Sequence, residues 1–529
     1  MSTQNPVDVQ RTREVSVLIV LILAVVACLT DFLLEAHIGF SLWDGGYLWY
    51  GVQRVLQGEV PIRDFMAYDP GRYYWAAALL RLFDSSGIVA VRAATMAFSA
   101  LGVMCAGWLV LQGASGGKYT RCGLAVLGMA ACVLWLEPWW KGYDVASSIF
   151  LIASLTRLLK HPVPLRFLVH GVVIGLVAVM GRNHGLYGAV ASLLAMPALM
   201  FGTEKVVWGR CIPAWIIGMI LGFSPIIVAC IADRSFAGMF WESIRYLVFE
   251  YRGTNLPLPV PWPWDVPVGQ MSSLAMVRPM LIGCVFVMLP VFCLVGAIWI
   301  LRRMREDVPI SNPIFAASVY TSIPYLNVAF SRADISHLAQ AVYPCLIGLL
   351  VYRWRGSARN VARWLRLPLL LIVTLWIVLP LHASYLKWTQ AGWRQVEVGR
   401  DEIWVDAATA TLVGEIKATA AEHVPSDGTV LAAPVWPGVY ALLEVRSPVW
   451  EIYPILPRNN VFQDQEITRL QKASPGLVLI YDIALDGRDQ LRYASTHPRI
   501  WQYINAHYHR VAAPNQEPPL LVYLPGAVD

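Results

Sequence analysis

Residues 15–35 read VSVLIVLILAVVACLTDFLLE, and residues 41–83 read SLWDGGYLWYGVQRVLQGEVPIRDFMAYDPGRYYWAAALLRLF. The first stretch is apolar for long enough to cross a bilayer, for which about 20 residues suffice. The second is too polar to follow it through the membrane and too patterned to be an idle linker. Tyr47, Leu48, Tyr50, Gly51, Val55 and Leu56 predict an amphipathic helix stopped by Gly58 and Pro61. A second helix is predicted from near Gly71, with Tyr73, Tyr74 and Trp75 at interfacial depth. Such helices lie in the plane of the membrane. A span followed by a long ordered loop, 36–86, with two interfacial helices is the pattern from which the rest is read.

Composition agrees. Of the 529 residues, 57% are hydrophobic and only 14% charged, against about 25% charged in ordinary soluble domains. That excludes a plain soluble enzyme, a disordered chain and a fibrous one. Hydropathy predicts about eleven spans, near 15–35, 87–112, 121–137, 144–159, 165–182, 184–201, 211–231, 278–301, 308–330, 334–352 and 366–385. No small-residue cleavage site follows the first, so it reads as a span and not a signal peptide. The expected fold class is therefore an α-helical polytopic membrane protein.

Charge sets the orientation. Arg11, Arg13, Lys118, Arg121, Arg157, Lys160, Arg166, Lys205, Arg210, Arg302, Arg303, Arg305, Arg353, Arg355, Arg359, Arg363 and Arg366 all fall in short loops on one side. By the positive-inside rule these are cytoplasmic. The N-terminus is then inside, and eleven crossings place the tail outside. Residues 1–385 carry 29 Lys+Arg against 19 Asp+Glu, and residues 386–529 carry 12 against 16. Two domains are expected: a basic transmembrane body, 1–385, and an acidic extracytoplasmic tail, 386–529. All nine cysteines lie in the body, with no CxxC pair or metal-ligand spacing. In the tail, 386–424 reads as helical. GTVLAAP, GLVLIYD and PPLLVYLP read as strands, and NVFQDQEITRLQKA and HPRIWQYINAHY as helices. This is a small α/β domain, expected to cover the membrane site or hold the acceptor.

The residues capable of chemistry gather on the outer side. Asp44, Asp64, Tyr68, Asp69 and Arg72 lie in the first loop. Glu137, Lys141 and Asp144 follow in a short segment, then Arg182 and His184, and then Arg332, Asp334 and His337. Ionisable groups at membrane depth are costly and are functional candidates by default. Each has a plainer alternative. Asp44 could cap its helix. Arg72, Arg182 and Arg332 could snorkel to the interface. Asp334 could cap the next helix and pair with Arg332. Glu137 and Asp144 could be loop charges. The outer segment 232–275 adds the amphipathic MFWESIRYLVFEYR and the proline-rich LPLPVPWPWDVP. There is no P-loop or dinucleotide fingerprint, no GxSxG elbow and no HExxH. The cations follow the membrane rule, so no nucleic-acid partner is expected.

Four segments together resemble a known group. The first loop with Asp44, GEVPIRDF and YDPGRYYW, the stretches VMGRNHGLYG and FSRADISHLAQAVYP, and the tail run SPGLVLIYDIALDGRDQLRYASTHPRIWQYI resemble the GT-C membrane glycosyltransferases. The nearest group is family-39-like, related to protein O-mannosyltransferases and the lipid A aminoarabinose transferase. The likeness covers most of the chain. It departs from the pattern at Gly45, where relatives carry a second acidic residue, and at YDPG, where many have Pro-Pro after a basic residue.

The resemblance implies a glycosyltransferase of the bacterial inner membrane. It would move a hexose or pentose from a polyprenyl-phosphate donor to an extracytoplasmic glycan, lipid or protein, with inversion. Asp44 would be the catalytic base. Arg72, Arg182 and Arg332, with Asp64, Tyr68, Asp69, His184, Asp334 and His337, would bind the donor phosphate and sugar. A divalent metal ion is the one candidate cofactor, with Asp44, Glu137 and His337 as its candidate ligands. The competing class is a transporter or flippase of a lipid-linked sugar. Transporters usually show inverted repeats and midplane ligands, whereas no repeat is found here and the polar groups gather at one face. A non-catalytic scaffold would leave the ordered first loop unexplained.

Overall fold

The structure, a computed structural model, describes residues 6–114, 117–200, 206–267, 272–306, 311–352, 359–425, 428–511 and 520–526. Among the cations used for orientation, Lys205, Arg353 and Arg355 lie outside the described residues.

A helix stands at each of the eleven expected spans: Pro6–Glu35, Ile88–Gly113, Lys118–Leu134, Gly142–Lys160, Pro164–Met180, Arg182–Leu199, Trp208–Ala232, Ser273–Arg305, Pro313–Ser331, Ile335–Val351 and Arg359–Val378. The punctuation is local. Asn312 accepts a hydrogen bond from Phe315 N at 3.2 Å, and Pro313 opens the helix where a missing N–H costs nothing. Among the described residues, five stretches are long and apolar enough to cross a membrane: Val17–Glu35, Ile88–Gly113, Trp139–Lys160, Trp208–Ala232 and Leu274–Arg305. A sixth candidate is the pair Pro368–Leu381 and Ala383–Thr389, bent by 76°. Pro164–Met180 and Ile335–Val351 have 17 residues each. That is about 25 Å of helix, short of a hydrocarbon core of about 30 Å. The chain is a polytopic helical membrane protein, and a count of eleven crossings with the tail outside remains a proposal.

Close packing groups the chain into two units, which cut across the division by membrane depth. One comprises 1–34, 95–228 and 257–386, and the other 35–94, 229–256 and 387–529. The first loop thus belongs to the same unit as the tail.

The membrane unit is held by small residues and buried polar contacts. Gly171 and Gly175 on Pro164–Met180 face Gly218 and Gly222 on Trp208–Ala232. A Cβ at Gly218 would stand 2.2 Å from Leu168 O, and one at Gly222 2.2 Å from Val172 O. The two backbones are therefore in contact, the small-xxx-small arrangement that drives helix pairing in lipid. Buried His170 joins three helices, with Nδ1 2.8 Å from Ser154 Oγ and Nε2 2.8 Å from Ser192 Oγ. Such bonds satisfy polar groups where no water is available.

In the second unit, a four-stranded sheet runs in the order β3-β4-β6-β5, with β3 Val430–Ala433, β4 Leu477–Tyr481, β5 Tyr508–Val511 and β6 Leu520–Pro525. β3 and β4 are parallel, and the other pairs are antiparallel. Leu431, Ala433, Val478, Ile480, Leu521 and Tyr523 form one core with Leu470, Ile500 and Ile504 of the helices Asn460–Ala473 and Pro498–His507. The alternate residues Val430, Ala432, Leu477 and Leu479 are also buried. Cover on both faces explains why these strands read as continuous apolar runs.

The expectation of helix throughout 386–424 is corrected. The hairpin β1 Arg394–Val398 and β2 Asp401–Val405 precedes the helix Ala407–His423. The signal was present: Val396/Val398 and Ile403/Val405 alternate about a two-residue Gly399-Arg400 turn. β5 was also missed, because HPRIWQYINAHY reads as helix up to the point where the strand begins.

Gly218→Leu is expected to destabilise the membrane unit by about 1–3 kcal/mol, the range for overpacking a tight contact. Gly209→Ala, in the same helix with open space around it, should be near neutral. Thermal unfolding in detergent compares the two.

Candidate functional site

The first loop folds where its sequence predicts, but its setting differs. The helices are Asp44–Leu56 and Pro70–Leu82. An interfacial helix shows one face to lipid, whereas every residue from Gly45 to Val55 is buried within protein. Gly46 permits this, because a Cβ there would stand 2.5 Å from Gly438 Cα of the tail.

Asp44 does not act as the helix cap. Trp43 occupies the cap position without a side-chain bond, and Asp44 is the first residue of the helix. Its half-buried carboxylate accepts a long hydrogen bond of 3.2 Å from the Tyr68 hydroxyl. The buried Arg72 lays its guanidinium over the Tyr68 ring, 4.9 Å from the centroid, a favourable cation–π arrangement. Tyr68 N donates to Tyr73 Oη at 3.0 Å. The Tyr47 ring meets the Tyr68 ring edge-on at 4.7 Å. Burial pushes the Tyr47 and Tyr73 phenols well up, so both are neutral at physiological pH. Three of the expected residues, Asp44, Tyr68 and Arg72, are thus brought together. Asp69 precedes Pro70 at the start of the second helix, without a side-chain cap.

Asp64 has other work. Arg63 donates to both of its carboxylate oxygens, at 2.8 and 2.7 Å, and Val60 N donates at 2.7 Å. Arg63 also reaches Asp233 at 2.7 Å. Asp233 in turn caps the helix Arg234–Arg245 through Ser235 N and Phe236 N. The arginine therefore ties the first loop to the 232–275 segment.

The membrane unit holds two further clusters. Asp144, considered above as a loop charge, is buried in the first turn of Gly142–Lys160. Its carboxylate lies 3.0 Å from His184 Nε2 and 4.0 Å from Lys141 Nζ. His184 Nδ1 is 2.7 Å from the Tyr325 hydroxyl. Asp–His–Tyr is a chain able to carry a proton. Tyr325 carried no signal in the sequence, since nothing local links it to His184, 141 positions away. Arg182 is half-buried at the start of its helix.

In the second cluster, Arg332 Nε donates to Asp334 at 2.7 Å. Asp334 accepts from His337 N at 2.9 Å and lies 2.8 Å from His337 Nδ1. The plain reading of Asp334 as a cap is therefore correct, and its pairing with His337 one turn later adds to it. Of the candidate metal ligands, Glu137 lies 3.8 Å from His382 Nδ1, while His337 is held by Asp334.

No family model and no curated protein matches the sequence. By structure, the chain is similar to ArnT from Cupriavidus metallidurans in the apo state. The TM-score is 0.54 at 10% identity, over 96% of this chain and 97% of that one. The same ArnT bound to undecaprenyl phosphate gives 0.49 at 10% identity, over 96% and 97%. The Archaeoglobus fulgidus oligosaccharyltransferase in complex with Zn and sulfate gives 0.49 at 10%, over 95% and 73%. The likeness to apo ArnT shows the fold: the chain shares that architecture over 96% of its length.

Arg63→Ala has an expected pH signature. Burial opposes ionisation of Asp64, but Arg63 and Val60 N–H hold its carboxyl below the usual range. Ser235 and Arg63 do the same for Asp233. Depressed carboxylates contribute stability above their unfolded value of about 4. That contribution is lost as pH falls through the folded value. Arg63→Ala should therefore lower stability at pH 7 and leave a shallower decline below about pH 4. Unfolding midpoints from pH 7 to pH 2 measure this.

Proposed function

We propose that the protein is a GT-C glycosyltransferase that takes a hexose or pentose from a polyprenyl-phosphate donor and passes it to an extracytoplasmic acceptor. The observation that carries this reading is the Asp44–Tyr68–Arg72 group: a half-buried carboxylate, oriented by a hydroxyl, beside a buried guanidinium. The GT-C fold supports it.

The chemistry follows from what such a donor needs. Nucleotide sugars are cytoplasmic, so transfer outside the cytoplasm calls for a sugar carried on a membrane lipid. Polyprenyl phosphate leaves well without a protonating acid. The acceptor hydroxyl does need a base, and Asp44 takes its proton. The acceptor oxygen bonds to the anomeric carbon as the bond to the phosphate oxygen breaks. The lipid phosphate departs with that electron pair, and a single displacement inverts the anomeric centre. A positioned base contributes roughly 10²–10⁴-fold. Arg72 supplies a cation for the phosphate charge, with the fork geometry suited to it. Arg182 and Arg332 are assigned the same task. No step is assigned to a metal ion. In this reading the protein sits in a bacterial inner membrane, N-terminus inside, and the acceptor is an envelope glycan, lipid or protein.

Asp44→Asn should lower transfer by at least about 10²-fold while the protein stays folded and inserted. Near-normal turnover of labelled polyprenyl-phosphate sugar by this variant would remove Asp44 as base. Arg332→Ala is expected mainly to weaken donor use, read as a raised donor KM. An unchanged dependence on donor concentration would remove its phosphate role.

A further inference from the structure

We infer that the C-terminal domain positions the catalytic carboxylate, with Gly438 and Tyr453 as positioning residues for Asp44. This rests on the reading of Asp44 as the base. Two separate attachments lead from the tail to that one residue.

The first is backbone against backbone. The short helix Pro437–Leu442 meets the start of the Asp44 helix. Gly438 N donates to Leu42 O at 2.9 Å. A Cβ at Gly438 would stand 2.8 Å from both Leu42 Cα and Leu42 O, and 3.1 Å from Gly46 Cα. Leu42 and Gly46 lie two residues before and after Asp44, so the tail sets the backbone on either side of it. No rotamer change can relieve a clash between two main chains.

The second attachment runs through rings. Tyr453 stacks on Tyr47, with centroids 5.2 Å apart and planes 27° apart. Tyr47 stands edge-on to Tyr68, and Tyr68 donates to the Asp44 carboxylate. The side chain that orients Asp44 is thus itself placed by the tail. Farther along, Trp450 Nε1 donates to Ile62 O at 2.8 Å and Met66 N donates to Trp450 O at 2.8 Å. These bonds keep the loop between the two helices in register with the same domain. A tail that only covered a site or held an acceptor would require none of these contacts with the first loop.

Kinetics of the full-length protein in detergent test this, with a polyprenyl phosphate carrying a labelled hexose, or a labelled pentose where that is the substrate. A displacement near 1 Å can cost about 10²-fold. Gly438→Val should therefore lower kcat by about 100-fold and Gly438→Ala by about 10-fold, with donor KM changed by less than about 2-fold.

Tyr453→Ala should lower kcat by about 10-fold with donor KM changed by less than about 2-fold, because the ring that seats Tyr68 against Asp44 is lost. Tyr453→Phe keeps the ring and should lose less of kcat than Tyr453→Ala. If Gly438→Val does not fold, Gly438→Ala and the Tyr453 pair decide. Folded variants with wild-type kcat, or with losses confined to KM, overturn the inference. Asp44→Asn run alongside separates the two claims. If it turns over normally, the base reading fails. If it is inactive while the positioning variants behave as wild type, only the positioning role fails.

Discussion

The contact between Gly46 and Gly438 is the constraint on which the candidate site depends. It brings the first helix of the loop against the tail so closely that neither residue has room for a side chain. Once the helix is seated there, its residues from Gly45 to Val55 are buried. The loop then has one place to go. Ile62 and Met66 bond to Trp450, and Arg63 bonds to Asp233. The second helix follows and carries Arg72 to the ring of Tyr68. The loop and the tail are far apart in sequence, yet they form a single unit.

A different economy governs the membrane unit. Lipid offers helices no hydrophobic reason to associate, so they pair by close approach and buried hydrogen bonds. The four glycines at 171, 175, 218 and 222 supply the first, and His170 between Ser154 and Ser192 the second. The same rule places Asp144, His184 and Tyr325 together, since each satisfies its neighbour away from water.

Much of the fold was legible because hydropathy is additive along the chain. Eleven apolar stretches gave eleven helices, and the second helix of the first loop begins at Pro70, next to the expected Gly71. The candidate site was legible only in part. Asp44 and Arg72 stood out as charges in an aromatic loop, but their linkage through Tyr68 depends on how the loop closes. Asp144 looked like a loop charge because its partner His184 comes forty residues later. Burial of the helix from Gly45 to Val55 was equally hidden, since part of its cover comes from the tail. The hairpin at 394–405 is the opposite case, where an alternating pattern was present in the sequence and was overruled by an assumed helix.

The central claim is that this chain transfers a lipid-linked sugar rather than moving it across the membrane. Incubating the purified protein in detergent with a labelled polyprenyl-phosphate sugar and envelope extract tests this directly, because vectorial transport has no meaning without a bilayer. The proposed function predicts label in an acceptor, released polyprenyl phosphate and an inverted anomeric linkage by NMR. Intact donor in detergent, together with donor movement between leaflets once the protein is reconstituted, would contradict it.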